Sequence, residues 1–194
     1  FKNHDKSKFD IYGFSFGPNK DDKWRAEVKK YFFHFENINN ISDQEVANLI
    51  KKNEIDIVID LSGLTGNSRV GIFSYQAAPI QINYLGFPGT MGAKFINYVI
   101  ADEVVIPKEN QKHFSEKVIY LPCCYQANMS QRKVSSKKFE RKDFGLPNEG
   151  FVFCSFNNNY KITPYIFDSW MRILKEVKNS VLWVLKSNEV AIQN

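Results

Sequence analysis

Long hydrophobic runs are absent from this sequence of 194 residues. No apolar stretch reaches about 18 residues, which excludes a transmembrane helix, and no signal peptide opens the chain. The first residue is Phe1 rather than Met. The sequence therefore predicts a piece of a longer protein that has no contact with a membrane.

Cysteine and histidine are also scarce, with three of each. Cys123 and Cys124 are adjacent, which makes them a poor disulfide pair, and no Cys or His has the spacing of a metal site. We therefore expect a reducing cytoplasmic location and no metal. The scattered histidines do not indicate a Ser-His-Asp or Cys-His arrangement, so nucleophilic catalysis of those kinds is not predicted.

Hydrophobic and aromatic residues are plentiful, at 43% and 15% of the chain, which is enough to bury a core. The net charge of +5 is accounted for by residues 130–142, which hold six basic residues and one acidic residue. A charge run of this kind is typical of a solvated linker. Nucleic-acid binding through this run is the less favoured alternative, so no nucleic-acid partner is predicted.

Strand and helix patterns alternate along the chain. Strands are predicted at residues 9–16, 55–61, 79–85, 98–101, 117–121, 151–156 and 180–185, and helices at residues 21–33, 42–52, 67–76 and 163–178. The apolar run at 55–61 favours a strand buried on both faces. The alternation predicts an α/β protein with Rossmann-like parallel sheets. We expect one domain over 1–135, a linker over 136–148, and the first βαβ unit of a second, truncated domain over 149–194.

Ligands of open α/β sheets bind beyond the carboxyl ends of the strands, and three such loops are rich in glycine or polar residues. LSGLTGNSR (61–69) places Arg69 in the first turn of a predicted helix, and LGFPGTMGA (85–93) exposes backbone amides. SFNNNYKITP (155–164) places Asn157, Asn158 and Lys161 just before a helix that opens at Thr163. Lysine beside a helix N-terminus suits a phosphate. The alternative for each loop is a plain turn or connector.

Longer motifs add a resemblance. The runs DLSGLTGNSRVGIFSYQAAPIQINYLGFPGTMGA, FSEKVIYLP and GLPNEGFVFCSFNNNYKITP closely resemble the O-linked N-acetylglucosamine transferase family, with its SPINDLY-like and bacterial members. The resemblance covers nearly the whole chain. It implies the GT-B architecture of two Rossmann-like domains, inverting and metal-independent transfer from UDP-N-acetylglucosamine to Ser or Thr of a protein, and no cofactor.

The resemblance also implies roles for individual residues. Lys161 matches the lysine that binds the donor diphosphate and stabilises the leaving group, beside Asn157 and Asn158. Asn158 stands where some members have a longer glutamine. Leu85, Gly86 and Pro88 match the loop that lines the sugar pocket, and Arg69 matches an arginine that supports the active site. Leu64 replaces a Tyr or His, so no polar role is expected there.

Other family motifs are not found in the chain. The His-Pro motif, the glycine-rich HTT segment that holds the nucleotide, and the tetratricopeptide repeats are all missing. We therefore expect the central fragment of a catalytic region that by itself binds UDP weakly, is inactive, and self-associates through uncovered strands. A non-catalytic interaction module and a transferase that uses another nucleotide sugar, such as GDP-fucose, are the alternatives.

Overall fold

The computed structural model describes residues 1–18, 22–129, 133–186 and 188–190. The chain folds into two compact units, Phe1–Ser130 and Gln131–Asn194. Within each unit, every strand pair is parallel. The predicted α/β class with parallel sheets is therefore confirmed.

Two sheets and three helices lie in the described residues of the first unit, 1–18 and 22–129. Its strands are β1 (Tyr12–Ser15), β2 (His34–Asn37), β3 (Ile57–Asp60), β4 (Ile80–Asn83), β5 (Tyr98–Ala101) and β6 (Lys117–Tyr120), and its helices are α1 (Lys23–Lys29), α2 (Asp43–Lys52) and α3 (Gly71–Ser74). Strands β3 to β6 form one sheet in chain order, and β1 pairs with β2 in a separate sheet. A 3₁₀ turn covers Lys108–His113.

Helix α2 illustrates how the sequence specifies this unit. Ser42 and Glu45 form a reciprocal capping box, as their spacing predicts. Val46, Ala47 and Ile50 recur at helical spacing and are fully buried, so α2 presents one apolar face to the core. That core also holds Val58 of β3 and two residues of α3, Ile72 and Phe73.

Three predictions about this unit are wrong in detail. The helix expected at 67–76 is a single turn, and Asn67 before it has the left-handed φ of 61° that interrupts a helix. The helix expected at 21–33 ends at Lys29, because the following aromatic run turns into the unpredicted strand β2. Strand β3 buries only one face: Val58 and Asp60 are buried, whereas Ile57 is 49% exposed and Ile59 is 45% exposed.

The second unit is a βαβ unit, as the sequence predicts. Strands β7 (Val152–Ser155) and β8 (Val181–Val184) pair in parallel, and α4 (Pro164–Glu176) connects them. Thr163 is the N-cap of α4 and Pro164 stands in its first turn, which suits proline because the first N–H groups of a helix need no partner within it. No α4 side chain is fully buried. Short 3₁₀ turns cover Arg141–Phe144 and Asn159–Lys161.

Candidate functional site

The carboxyl ends of β3 and β4 bring two polar side chains together. Asp60 and Asn83 are the last residues of these strands and are register partners. Both are buried, with 5% of Asp60 and 1% of Asn83 exposed. The loops that follow, residues 61–70 and 84–97, therefore leave the sheet side by side, at the edge where open α/β sheets bind ligands.

Asp60 shapes the first of these loops. Its carboxylate accepts hydrogen bonds from the backbone N–H groups of Ser62, at 2.9 Å, and Gly63, at 3.2 Å. Burial raises the pKa of the Asp60 carboxyl, although the two N–H donors act in the opposite direction. Gly63 has a φ of 56°, a left-handed conformation that glycine adopts without steric cost. The side chain of Asp60, the last residue of β3, thus stabilises the turn that follows this strand.

Gly86 lies directly against that turn. A Cβ atom at Gly86 would overlap the carbonyl oxygen of Ser62 and stand 2.9 Å from the backbone nitrogen of Gly63. Leu85 has a φ of 69°, which is uncommon for a residue with a side chain. Leu85 and Pro88 are half-buried and Gly86 is exposed. The structure therefore brings together two of the three loops that the sequence singles out, with one backbone packed on the other.

Glu116 fixes the part of the loop after β4 that contains Thr90 and Met91. This buried carboxylate, 3% exposed, accepts hydrogen bonds from Thr90 Oγ1 at 2.7 Å and from the N–H of Met91 at 2.6 Å. The Thr90 hydroxyl in turn accepts the N–H of Ser115. Sequence reasoning missed Glu116, because a single glutamate before a short strand carries no pattern of its own.

Replacement of Glu116 by alanine is expected to destabilise the first unit. The Thr90 hydroxyl and the Met91 N–H would lose their acceptor in a partly buried place, at a cost of about 1–3 kcal/mol. Urea unfolding measures the difference. Glu103→Ala is the matched control, because Glu103 is exposed and only pairs with Lys108 at the surface, a contact that contributes about 0–1 kcal/mol. Equal unfolding midpoints for the two variants would contradict the role of Glu116.

Asp102 connects the ends of β4, β5 and β6. Its carboxylate accepts N–H groups from Tyr125 at 2.8 Å, Val105 at 2.8 Å and Val104 at 3.0 Å. These hydrogen bonds, first of all the one from Tyr125, lower the pKa of Asp102. The Tyr84 hydroxyl donates to the carbonyl of Tyr125 at 2.6 Å. Sequence reasoning missed this connection, since residues 84 and 125 are far apart in the chain.

Asp102 should make the free energy of unfolding depend on pH in the acidic range. A carboxyl whose pKa is lowered by folding stabilises the protein above its unfolded pKa, about 3.9 for Asp. That stabilisation is lost as the pH falls through the lower folded pKa. The difference in unfolding free energy between the wild type and Asp102→Asn should therefore shrink below about pH 4. Urea titrations over acidic pH measure it, with exposed Asp10→Asn as control. A difference that stays constant with pH would contradict this expectation.

All three guanidinium nitrogens of Arg69 donate hydrogen bonds within the first unit. Its Nε donates to Asp43 at 2.8 Å, and its two Nη atoms donate to the carbonyls of Ile38 at 2.6 Å and Ile41 at 2.8 Å. Its side chain is only 16% exposed. The expectation that Arg69 lies in the first turn of a helix is wrong, because α3 begins at Gly71. Arg69 instead ties the loop after β3 to the start of α2.

The third loop of interest lies in the second unit. Asn157 and Asn158 follow β7 and are exposed, and Lys161 ends the 3₁₀ turn with an exposed side chain. Two residues later, the Thr163 hydroxyl accepts the N–H of Ile166 and opens α4. Lys161 therefore lies three residues before the first residue of a helix of 13 residues, and the positive end of a helix favours anions.

Asn159 adds a feature that sequence reasoning missed. Its side-chain Oδ1 is buried and has no hydrogen-bond partner. A buried carbonyl oxygen without a donor is rare. Asn159 lies in the chain between the two exposed asparagines and Lys161, and its Oδ1 can accept a hydrogen bond from a hydroxyl or N–H group.

Other parts of the described chain contain no stronger candidate for a functional site. A cavity of about 640 Å³ is lined by Lys51, Glu54, Asp56, Pro79 and Lys94, among others, at the amino-terminal edge of β3 and β4, and none of the predicted site residues lines it. Residues 1–18, 22–129, 133–186 and 188–190 contain no cluster of three or more His, Cys, Asp or Glu that could hold a metal. No helix in the described part of the chain is long and apolar enough to cross a membrane.

Comparison with known proteins covers the whole chain. The sequence model of glycosyl transferase family 41 matches residues 1–133 and 129–194. The probable UDP-N-acetylglucosamine–peptide N-acetylglucosaminyltransferase SEC of Arabidopsis thaliana is 37% identical over 191 residues, which cover 96% of this chain and 20% of that protein. The probable transferase SPINDLY of Eustoma exaltatum subsp. russellianum is 33% identical over 187 residues, covering 93% of this chain and 20% of that protein.

A solved structure shows the same fold. A lysine-to-methionine mutant of the Thermobaculum terrenum O-GlcNAc transferase superposes with a TM-score of 0.83 at 21% identity, over 99% of this chain and 36% of that chain. This match confirms the predicted fold class, the Rossmann-like α/β fold of GT-B transferases. The chain spans about a fifth of the length of the curated relatives named above.

Proposed function

The chain belongs to glycosyl transferase family 41, and from this membership we propose that it forms the central part of the catalytic region of a protein O-glycosyltransferase. The reaction is transfer of N-acetylglucosamine from UDP-N-acetylglucosamine to a Ser or Thr hydroxyl of an acceptor protein, with inversion at the anomeric carbon. The relatives described above are named as probable UDP-N-acetylglucosamine–peptide N-acetylglucosaminyltransferases, which supports this choice of donor and acceptor.

The observation that carries the proposal is the position of Lys161. Lys161 is exposed and comes just before the N-terminus of α4 in the chain, and a lysine ammonium and a helix N-terminus both attract negative charge. The diphosphate of a nucleotide sugar carries such charge, and more develops on the UDP leaving group as the glycosidic bond breaks. A fixed cation at this point stabilises the transition state and serves in place of a metal ion. Asn157 and Asn158 supply amide groups for the phosphates.

We assign the sugar side of the reaction to the loop of Leu85, Gly86 and Pro88. Its backbone rests on the turn that Asp60 holds, and its far end is pinned by Glu116. A wall that is fixed at both ends can orient a sugar without the additional cost of ordering the loop on binding. Arg69 supports this wall from a distance, because it fixes the loop after β3 on which Gly86 lies.

A transfer assay tests the proposed function in the full-length protein that contains these residues, a protein that we propose to be cytoplasmic and to carry tetratricopeptide repeats. UDP-N-acetylglucosamine with a labelled sugar is expected to label acceptor proteins on Ser or Thr. GDP-fucose serves as the second donor. If only GDP-fucose labels the acceptor proteins, the donor is GDP-fucose and not UDP-N-acetylglucosamine. If neither donor labels them, a non-catalytic module is favoured.

The isolated chain is expected to bind UDP weakly, because the glycine-rich nucleotide-holding segment of the family is not among its residues. Isothermal titration calorimetry with UDP measures this directly. Lys161→Met should weaken even this binding, whereas Lys175→Met, at the other end of α4, should not. A micromolar dissociation constant for the isolated chain would contradict the expectation.

A further inference from the structure

Two cysteines that are adjacent in the sequence lie in the loop after β6. Cys123 and Cys124 are both free and exposed, and they follow the carboxyl end of a strand in the same sheet as β4. The third cysteine, Cys154 of β7, is exposed as well but has no cysteine neighbour in the sequence. The chain therefore contains one pair of adjacent cysteines and one isolated cysteine, all exposed.

The backbone around the dithiol is held in place. Cys123 has a φ of 68°, a left-handed conformation that persists only where the surroundings impose it. Tyr125, the next residue after the pair, donates its N–H to Asp102 and accepts the Tyr84 hydroxyl at its carbonyl. The Cys124 thiol also lies 3.8 Å from the carbonyl oxygen of Gln126. Two thiols are thus presented to solvent from a loop that is anchored on its carboxyl side.

Direct oxidation of the pair is unfavourable. Adjacent Cα atoms are about 3.8 Å apart across a trans peptide, whereas disulfides usually need about 4.4–6.8 Å. A larger atom bonded to both sulfurs relaxes this restriction, because the sulfurs then need not touch each other. Such an atom must be thiophilic, accept two sulfurs at once, and have an open path from solvent.

We propose that Cys123 and Cys124 form a binding site for trivalent arsenic presented as an organic arsenoxide. Each thiol gives up its proton and forms one arsenic–sulfur bond, and the arsenoxide oxygen leaves as water. The oxidation states of arsenic and sulfur do not change, so no oxidant is needed. Once the first bond has formed, the second thiol is at high effective concentration, which makes the cyclic adduct resistant to competing monothiols.

Phenylarsine oxide and intact-mass spectrometry test this site on the full chain. We expect one adduct per chain that survives excess glutathione and is removed by a dithiol such as 2,3-dimercaptopropanol. The adduct should persist in Cys154→Ser and disappear, in the presence of glutathione, from Cys123→Ser and from Cys124→Ser. Circular dichroism confirms that the variants are folded.

Peptide mapping of the unsubstituted chain gives a second measurement. Trypsin releases both adjacent cysteines on residues 118–132 and Cys154 on residues 143–161, so the adduct is expected on the first peptide only. A glutathione-resistant adduct that remains in Cys123→Ser or Cys124→Ser would overturn the proposal. Complete removal of the wild-type adduct by glutathione, or its location on residues 143–161, would overturn it as well.

Discussion

Lys161→Met is expected to reduce the rate of sugar transfer by about 10²–10³-fold in the full-length protein. The substitution removes the cation that we place next to the leaving diphosphate, while the side-chain length is roughly kept. Because Lys161 is exposed, folding should be unaffected, and circular dichroism should show no change. The loss should fall mainly on kcat, since the negative charge on UDP is greatest in the transition state and after it.

Steady-state kinetics with UDP-N-acetylglucosamine distinguishes this role from simple substrate binding. A rise in KM with unchanged kcat would show that Lys161 binds donor and transition state equally, which would contradict the proposed role. Lys161→Arg keeps a cation but changes its shape and should recover part of the rate. Lys175→Met is the matched control, because Lys175 is an exposed lysine in the last turn of the same helix.

Gly86→Ala is expected to destabilise the first unit by about 3 kcal/mol, the upper part of the range for overpacked sites. The added methyl group would meet backbone atoms of Ser62 and Gly63. Backbone atoms cannot move aside as a flexible side chain can, so either the turn after β3 or the loop after β4 must shift. Urea unfolding measures the loss of stability, and the transfer assay measures displacement of the loop to which we assign the sugar.

Gly66→Ala provides the control for Gly86→Ala. Gly66 lies in the neighbouring loop, and nothing stands within 4 Å of a Cβ atom placed there. This substitution should therefore be neutral or slightly stabilising, by about 0.4–1 kcal/mol, because alanine restricts the unfolded chain. If both variants unfold at the same urea concentration and retain equal transfer rates, the close approach of the two loops has no energetic importance.

The sequence by itself determined the local structure and the family. Capping at Ser42 and Thr163, the parallel α/β class, and most of the strands and helices follow from short-range patterns, and the structure contains them; among the strands, β2 is the exception. The long motifs identify glycosyl transferase family 41. These features were predictable because a cap, a period or a motif is read from neighbouring residues.

Only the tertiary structure decided which residues support the candidate site. The contact of Gly86 with the Ser62 turn, the acceptor role of Glu116, and the partners of Arg69 all join residues more than 20 positions apart. The exposed face of β3 was likewise unpredictable, since an apolar strand does not reveal whether one or both faces are covered. Such contacts depend on which loops the sheet order brings side by side, and no local pattern records that order.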